Sequence, residues 1–262
     1  MPLTPKEMLR LAAVAVLRAG LRLSSRPYVA PPGGLLVIAP HADDETLGCG
    51  GLIAAQARAG RAIEVIFLTD SAGSHPGHPG LAPGALAEMR RGEALAALAI
   101  LGLEAGQAQF FGLPDGTLDR LPPAELDAAR ERLAGRIRAL RPEEILVPFR
   151  HGGSTEHSAA WELAATALAA AGGGRLLEYP IWAWWNPLRL RGRLGPRPGN
   201  LAFPLGPWRA VKRRALACHR SQVLPVPPAT APALPPSLAR ACCGPREFFF
   251  ASHVPAGQSS HT

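Results

Sequence analysis

A chain of 262 residues, 47% hydrophobic and 18% charged, is long enough for one large α/β domain with a sizeable core and too short for two ordinary domains joined by a linker. The net charge of +8 raises a polyanionic partner, but arginine is spread along the sequence without any long basic block. The charge therefore reads as a generally basic surface, with acidic lipid headgroups or phosphate-bearing substrates as the alternative and no nucleic acid expected. Cys49, Cys218, Cys242 and Cys243 form neither a C-x-x-C pair nor a disulfide framework, which fits a reducing cytosol. No apolar run approaches the ~18 residues of a membrane-spanning helix, so the chain is not expected to cross a bilayer.

From Pro5 to Ser24, Leu, Ala and Val alternate with Lys6, Arg10, Arg18 and Arg22, which predicts an amphipathic helix with one basic side. It either packs on the domain or lies peripherally on an anionic membrane surface, at the inner face of the membrane for a cytoplasmic protein. Arg18 and Arg22 interrupt the apolar stretch too often for a secretory signal. Residues 1–34 are this helix and a linker, and residues 35–262 form a single domain.

Leu35 to Ala39 is a continuous apolar run, the pattern of a strand buried on both faces of a parallel sheet. A helix from Gly50 to Gly60 and a strand from Ala62 to Thr69 follow, and then the turn-rich loop DSAGSHPGHPGLAPG, a candidate rim for a site. Strand and helix keep alternating: a helix from Ala85 to Leu101, a strand near Gln109 to Leu113, a helix near Ala124 to Leu140 and a strand from Ile145 to Phe149. A helix from Ser154 to Ala170 and a strand near Leu176 to Trp182 complete the series. The alternation predicts a Rossmann-like, doubly wound, mainly parallel sheet with helices on both faces. Asn186 to Pro207 is rich in Pro, Gly and Arg, Trp208 to His219 reads as helix, and Leu224 to Pro236 reads as an extended surface segment.

The informative string is PHADDETLGCGG, Pro40 to Gly51, placed where a buried strand ends and a helix begins. Open α/β sheets bind ligands at such ends. Pro40 cannot continue a central ladder, so the chain leaves the sheet there and presents His41, Asp43 and Asp44. Imidazole and carboxylate together suit Zn²⁺, whose catalytic sites take three protein ligands and keep one position open. The string RHGGSTEHSAAW, Arg150 to Trp161, holds the equivalent place after another strand, and His157 is its best candidate ligand. His41, Asp44 and His157 would then share one ion, with Asp43 beside them as general base. Ser154, just before a helix, also reads as an N-cap, with Glu156 favourably placed in the first turn. Arg90 suits a sugar hydroxyl or phosphate, or else pairs with Glu93 on the helix surface. Trp182, Trp184 and Trp185 either stack on a sugar ring or pack in the core.

These strings resemble the PIG-L/LmbE-like family of zinc-dependent de-N-acetylases, whose first motif is written A-H-P-D-D-E. The similarity extends over most of the chain: Thr69-Asp70, Ser74-His75, Arg90-x-x-Glu93, FFGLPDG from Phe110 to Gly116, and CHRSQ from Cys218 to Gln222 all fall at expected places. The resemblance implies a Rossmann-like fold, hydrolysis of an N-acetylated amino sugar to acetate and free amine, and Zn²⁺ as cofactor. It implies His41 and Asp44 as metal ligands and Asp43 as general base. His157 matches the second His of the family's H-P-D-H motif, and Glu156 stands at its acidic position. Ser154 departs from the first His of that motif, which puts the oxyanion and leaving-group role elsewhere: on His151, His75 or His78, or on His219 in CHRSQ. Of His151 and Ser154, the histidine is expected to matter more to turnover, because imidazole carries a proton near neutral pH. Arg90, His75 and His219 are the expected substrate-binding residues.

Two other readings of the same residues differ in measurable ways. A nucleotide-binding module built on GCGG lacks G-x-G-x-x-G and would hold no metal. A catalytically silent sugar or lipid binder would keep the fold and release no acetate.

Overall fold

The computed structural model describes residues 4–195 and 197–257; residues 1–3 and 258–262, which the boundaries 1–34 and 35–262 include, lie outside the described residues, as does Pro196. In chain order the elements are α1 (Pro5–Ser24), β1 (Arg26–Pro27), β2 (Leu35–Ala39), α2 (Asp44–Arg58), β3 (Ile63–Thr69), α3 (Pro83–Leu101), β4 (Ala108–Leu113), α4 (Pro123–Leu140) and β5 (Glu144–Pro148). They continue as α5 (Thr155–Ala170), β6 (Gly174–Tyr179), α6 (Trp182–Trp185), β7 (Asn200–Pro204), α7 (Trp208–Leu216), α8 (Arg220–Val223), α9 (Pro236–Cys242) and β8 (Arg246–Val254).

The strands form one sheet in the order β1-β7-β8-β6-β5-β2-β3-β4. Pairing is parallel from β6 through β5, β2 and β3 to β4, whereas β8 runs antiparallel to both β6 and β7. From β2 the chain moves outward through β3 to β4, then returns to the other side of β2 for β5 and β6. The carboxyl ends of β2 and β5 therefore flank the topological switch point, the crevice where such sheets place ligands. Separate apolar clusters cover the two faces, one built on Val37, Val65 and Leu146, the other on Leu36, Ile66 and Ile145. Alternate residues of the same strands feed opposite faces, as the period of two requires.

Three stretches differ from the reading of the sequence. The helix expected from Gly50 begins at Asp44 and is broken at Cys49, whose φ of −141° and ψ of 16° are not helical. The N–H groups of Gly51 and Leu52, freed by the break, donate to the Glu247 carboxylate at 2.9 Å each. Lys212, fully buried, pairs with Glu247 at 2.7 Å and donates to the carbonyl of Leu47 at 2.8 Å. Burial would lower the Lys212 pKa, but the adjacent carboxylate outweighs it and the ammonium is held above its usual value. A second helical start thus sits at Gly50, and the glycine spacing reports it. Gly48 is needed for contact: a Cβ there would lie 2.1 Å from the Tyr179 ring. The Pro, Gly and Arg-rich stretch contains β7, and the strand expected to reach Trp182 stops at Tyr179, after which the tryptophans form the helical turn α6.

The segment before residue 35 is joined to the sheet. β1 pairs with β7, and the buried Tyr28 donates its hydroxyl to Glu144 at 2.5 Å. At the opposite edge, Arg132 donates to the carbonyls of Phe110 and Phe111 on β4 at 3.1 and 3.2 Å, and its guanidinium covers the Phe111 ring. Helix α1 buries Val14, Leu17 and Leu21. No helix among the described residues is long and apolar enough to cross a membrane.

Candidate metal centre

The strand-to-helix corner after β2 is fastened before it reaches the site. Pro40 offers no N–H, but its carbonyl accepts from the Thr69 N–H at 3.0 Å and the Thr69 hydroxyl at 2.8 Å, tying the end of β2 to the end of β3. Ala42 donates its N–H to the Ser71 hydroxyl at 2.9 Å. Ser71 itself is left-handed, with φ 58° and ψ 25°, a conformation few non-glycine residues adopt and one that often marks a functional turn. Arg90, 3% exposed, reaches up from α3 and donates to the carbonyls of Ala42 at 2.9 Å and Ser71 at 3.1 Å, with its guanidinium 3.4 Å from an oxygen of Asp43. This cation is committed to the corner and to Asp43.

Within that frame His41, Asp44 and His157 offer ligand atoms that all lie within 4.8 Å of one another. His41 Nδ1 is 3.1 Å from Asp44 Oδ2, and His157 Nε2 is 3.3 Å from Asp44 Oδ1. His157 is 1% exposed, yet its Nε2 has no hydrogen-bond partner. A buried orphan imidazole nitrogen is costly unless its lone pair has a purpose, and coordination supplies one. The other ring nitrogen of His41 faces Glu156 Oε2 at 2.6 Å and Asp115 Oδ1 at 3.2 Å. Asp115 and Glu156 also complete a second metal-competent grouping with His41.

The carboxylates outnumber the cations, and the pKa directions record it. Burial lowers the His41 pKa, but hydrogen bonds to Asp115, Asp44 and Glu156 raise it well above the usual value. Asp44 is penalised by burial and nevertheless held far below the usual carboxylate range by His157 and His41. Asp43 is pushed up to about 6 by burial, with the Asp44 charge adding to the rise and Arg90 opposing it. An excess of buried negative charge around two imidazoles is a donor set that suits a divalent cation.

A cavity of about 230 Å³ opens onto this cluster. His41, Asp43, Asp44, Arg90 and Asp115 line its floor, and Gly73, Ser74, Gln222, Trp182 and Leu234 line its walls. Asp115 accepts from the Gly73 N–H at 2.7 Å, which ties the loop after β4 to the loop after β3.

Other expected site residues fall elsewhere. Ser154 caps α5, accepting from the His157 N–H at 3.2 Å, and does not line the cavity. His151 is exposed, packs edge-on against Phe149 and is likewise outside the lining. Glu156 lies behind His41 and accepts from the N–H groups of Gly116 and Leu118 at 2.8 and 3.3 Å. His219 is fully buried beneath the corner, with Nε2 3.3 Å from the Thr46 hydroxyl and 3.4 Å from Glu45. His75 stands on the rim loop beside Ser74 and His78. Trp184 is core, 3% exposed, while Trp182 reaches the cavity. Asp115 is the site residue to which sequence reasoning assigned no role, although the turn signal P-D-G inside FFGLPDG marked its place.

Fold and cluster together define an α/β protein of Rossmann-like architecture with a His–Asp–His metal-competent centre at the switch point. The family model described as PIG-L, GlcNAc-PI de-N-acetylase, matches residues 36–168, about half of the chain, and the chain belongs to this family. It is 30% identical over 160 residues to the 1D-myo-inositol 2-acetamido-2-deoxy-alpha-D-glucopyranoside deacetylase of Kineococcus radiotolerans, a match covering 52% of this chain and 44% of that protein. It is 32% identical over 136 residues to the 2'-N-acetylparomamine deacetylase of Streptomyces fradiae, covering 48% of each. The chain thus spans a little under half the length of these relatives. Among solved structures, a conserved protein from Thermus thermophilus superposes with a TM-score of 0.59 at 25% identity, covering 87% of this chain and 98% of that one.

Proposed function

We propose that the protein is a zinc-dependent hydrolase that removes the acetyl group from a 2-acetamido sugar, with His41, Asp44 and His157 as metal ligands and Asp43 as the proton carrier. The observation that carries this reading is the buried Nε2 of His157, which makes no well-formed hydrogen bond and stands 3.3 Å from Asp44, a residue lining the cavity. Both relatives are named for removing an acetyl group from the nitrogen of an amino sugar. Zinc bound by these ligands would polarise the acetamide carbonyl and lower the pKa of water at the site.

The remaining work falls to the chain's own groups. Asp43 lines the cavity next to the ligand set and accepts the proton of the attacking water. Arg90 holds Asp43 in place and, with its hydrogen bonds directed to the backbone, acts as a positioning residue. Glu156 and Asp115 fix the His41 ring through Nε2, as carboxylates behind ligand histidines do. With His151 exposed against Phe149 and Ser154 committed to the α5 cap, Asp43 also returns the proton to nitrogen as the C–N bond breaks, leaving acetate and the free amine. Ser74, Gln222 and Asp115 suit sugar hydroxyls, and Trp182 offers a flat face to the ring. Free thiols at all four cysteines suit a cytoplasmic location.

The test is acetate release from a panel of 2-acetamido-2-deoxyglucosides, paired with zinc per chain by elemental analysis. Acetate from at least one member, lost on chelation and restored by zinc, is the expected result. A zinc-loaded protein that releases acetate from none of them, or full activity without metal, overturns the reading.

A further inference from the structure

The fold brings two arginine-bearing, acid-free segments of the sequence together. No Asp or Glu occurs between Glu7 and Asp43, and none between Glu178 and Glu247. These two segments pack against each other: α1 contacts α9, β7 and the 3₁₀-helical stretch Pro187–Arg193, and Arg10 lies 3.4 Å over the Trp185 ring. The face they build therefore carries exposed cations, Arg22, Arg26, Arg191 and Arg197 among them, from segments with no interspersed acid.

On the same side α1 turns apolar residues outward. Leu9, Val16 and Leu23 follow one another at seven-residue spacing and are 74%, 75% and 88% exposed. Seven residues are nearly two helical turns, so the three form one row, spanning roughly 21 Å at 1.5 Å per residue. Met8 on α1 and Leu188 beside it add to the exposed apolar surface. At the end of α1, a groove of about 480 Å³ is flanked by Leu23, Arg26 and Arg197, an apolar wall with two guanidinium groups. A solvated surface helix would carry its charges where this one carries leucine and valine.

We propose that the outer face of α1 docks on an anionic lipid bilayer, with Leu9, Val16 and Leu23 entering the acyl boundary and the surrounding arginines meeting phosphate headgroups. Apolar insertion flanked by basic residues is the pattern of an interfacial helix, and the excess of positive charge selects an anionic leaflet over a neutral one. A polyanion alone explains the arginines and leaves the apolar row exposed. The cavity of the metal centre borders elements on which α1 packs: its lining includes Trp182, in the same helical turn as Trp185, and Leu234, just before α9. The inference goes beyond the deacetylase reading and does not require it.

The test is co-sedimentation of the full chain with phosphatidylcholine vesicles, with and without phosphatidylglycerol. Wild-type protein should pellet with the anionic vesicles and stay in solution with neutral ones. The triple variant L9Q/V16Q/L23Q should lose about tenfold or more in partitioning, and R22Q/R26Q/R197Q about fivefold per residue at low salt. All six side chains are exposed, and an unchanged melting temperature with unchanged zinc content shows that each variant is folded. The proposal is overturned if the apolar variant pellets like wild type, if wild type does not pellet with anionic vesicles, or if wild type is a dimer that the apolar substitutions dissociate. Absence of acetate release from wild type and variants alike would count against the deacetylase reading and leave the vesicle result standing.

Discussion

Helix α2 touches two buried clusters of charge, one at each of its starts, and they are built on opposite plans. At the Cys49 break, Lys212 and Glu247 satisfy each other: the ammonium meets the carboxylate and the Leu47 carbonyl, and the carboxylate takes two backbone N–H groups. At Asp44, carboxylates crowd two imidazoles, Asp43 is pushed up to about 6 by burial, and His157 Nε2 has no partner. A closed cluster holds shape, whereas an open one has capacity left for a ligand. Burial is common to both, so burial alone does not mark the site; an unmet imidazole nitrogen within a cluster of carboxylates beside a cavity does.

The comparison is broken most severely at Asp44. Asp44→Ala removes a ligand and should abolish both zinc retention and turnover, while Asp43→Asn should keep zinc near wild-type occupancy and lower turnover by roughly 10²–10⁴-fold. Zinc per chain measured alongside acetate release decides it, and the opposite pattern would exchange the two roles. At the closed cluster the readout is stability. Glu247→Ala strands the buried Lys212 charge and should destabilise the fold by about 3–5 kcal/mol, lowering the melting temperature by roughly 10 °C. The surviving folded protein should still bind zinc, and simultaneous loss of metal would show that the two ends of α2 are not independent.

Smaller effects sharpen the contrast. Zinc at a hundred times its dissociation constant should stabilise wild type by about 2.7 kcal/mol and Asp44→Ala by little, read as a shift in thermal midpoint. Ser154→Ala should cost about 1 kcal/mol through loss of the α5 cap and lower zinc affinity modestly, because the capped N–H belongs to His157, the proposed ligand. His151→Ala should leave stability and turnover within twofold of wild type, about the effect of an ordinary exposed substitution. This reverses the order expected from imidazole chemistry alone, and a large loss at His151 would return it to the mechanism.

The parallel half of the sheet was legible because each of its strands is a short apolar run between helices of the right length, from Leu35 to Tyr179. The antiparallel end was not. β8 carries Phe248, Phe249 and Phe250, all buried, so it lacks the alternation that identifies a strand, and β7 is five residues in a proline-rich stretch. At the site, the approach of His41, Asp44 and His157 to one another was readable from their places just after β2 and β5, since parallel strands carry their carboxyl termini to one edge. Asp115 was not, because its approach to His41 depends on the loop after β4 being pinned to Gly73, a contact between segments distant in sequence. The gathering of arginines was also invisible to a linear reading: both acid-free segments are there in the sequence, but only the fold makes them one face.

The edges of the sheet carry a consequence for assembly. β1 is two residues long and one of them is Pro27, which has no N–H to offer. At β4, Arg132 already occupies the carbonyls of Phe110 and Phe111 and lays its own bulk over the strand. Neither border is a free template for another chain's backbone, which guards an eight-stranded sheet against growing into a fibre. Contacts with the outside world are left to side chains on helices, where a single substitution can switch them off without disturbing the ladder beneath.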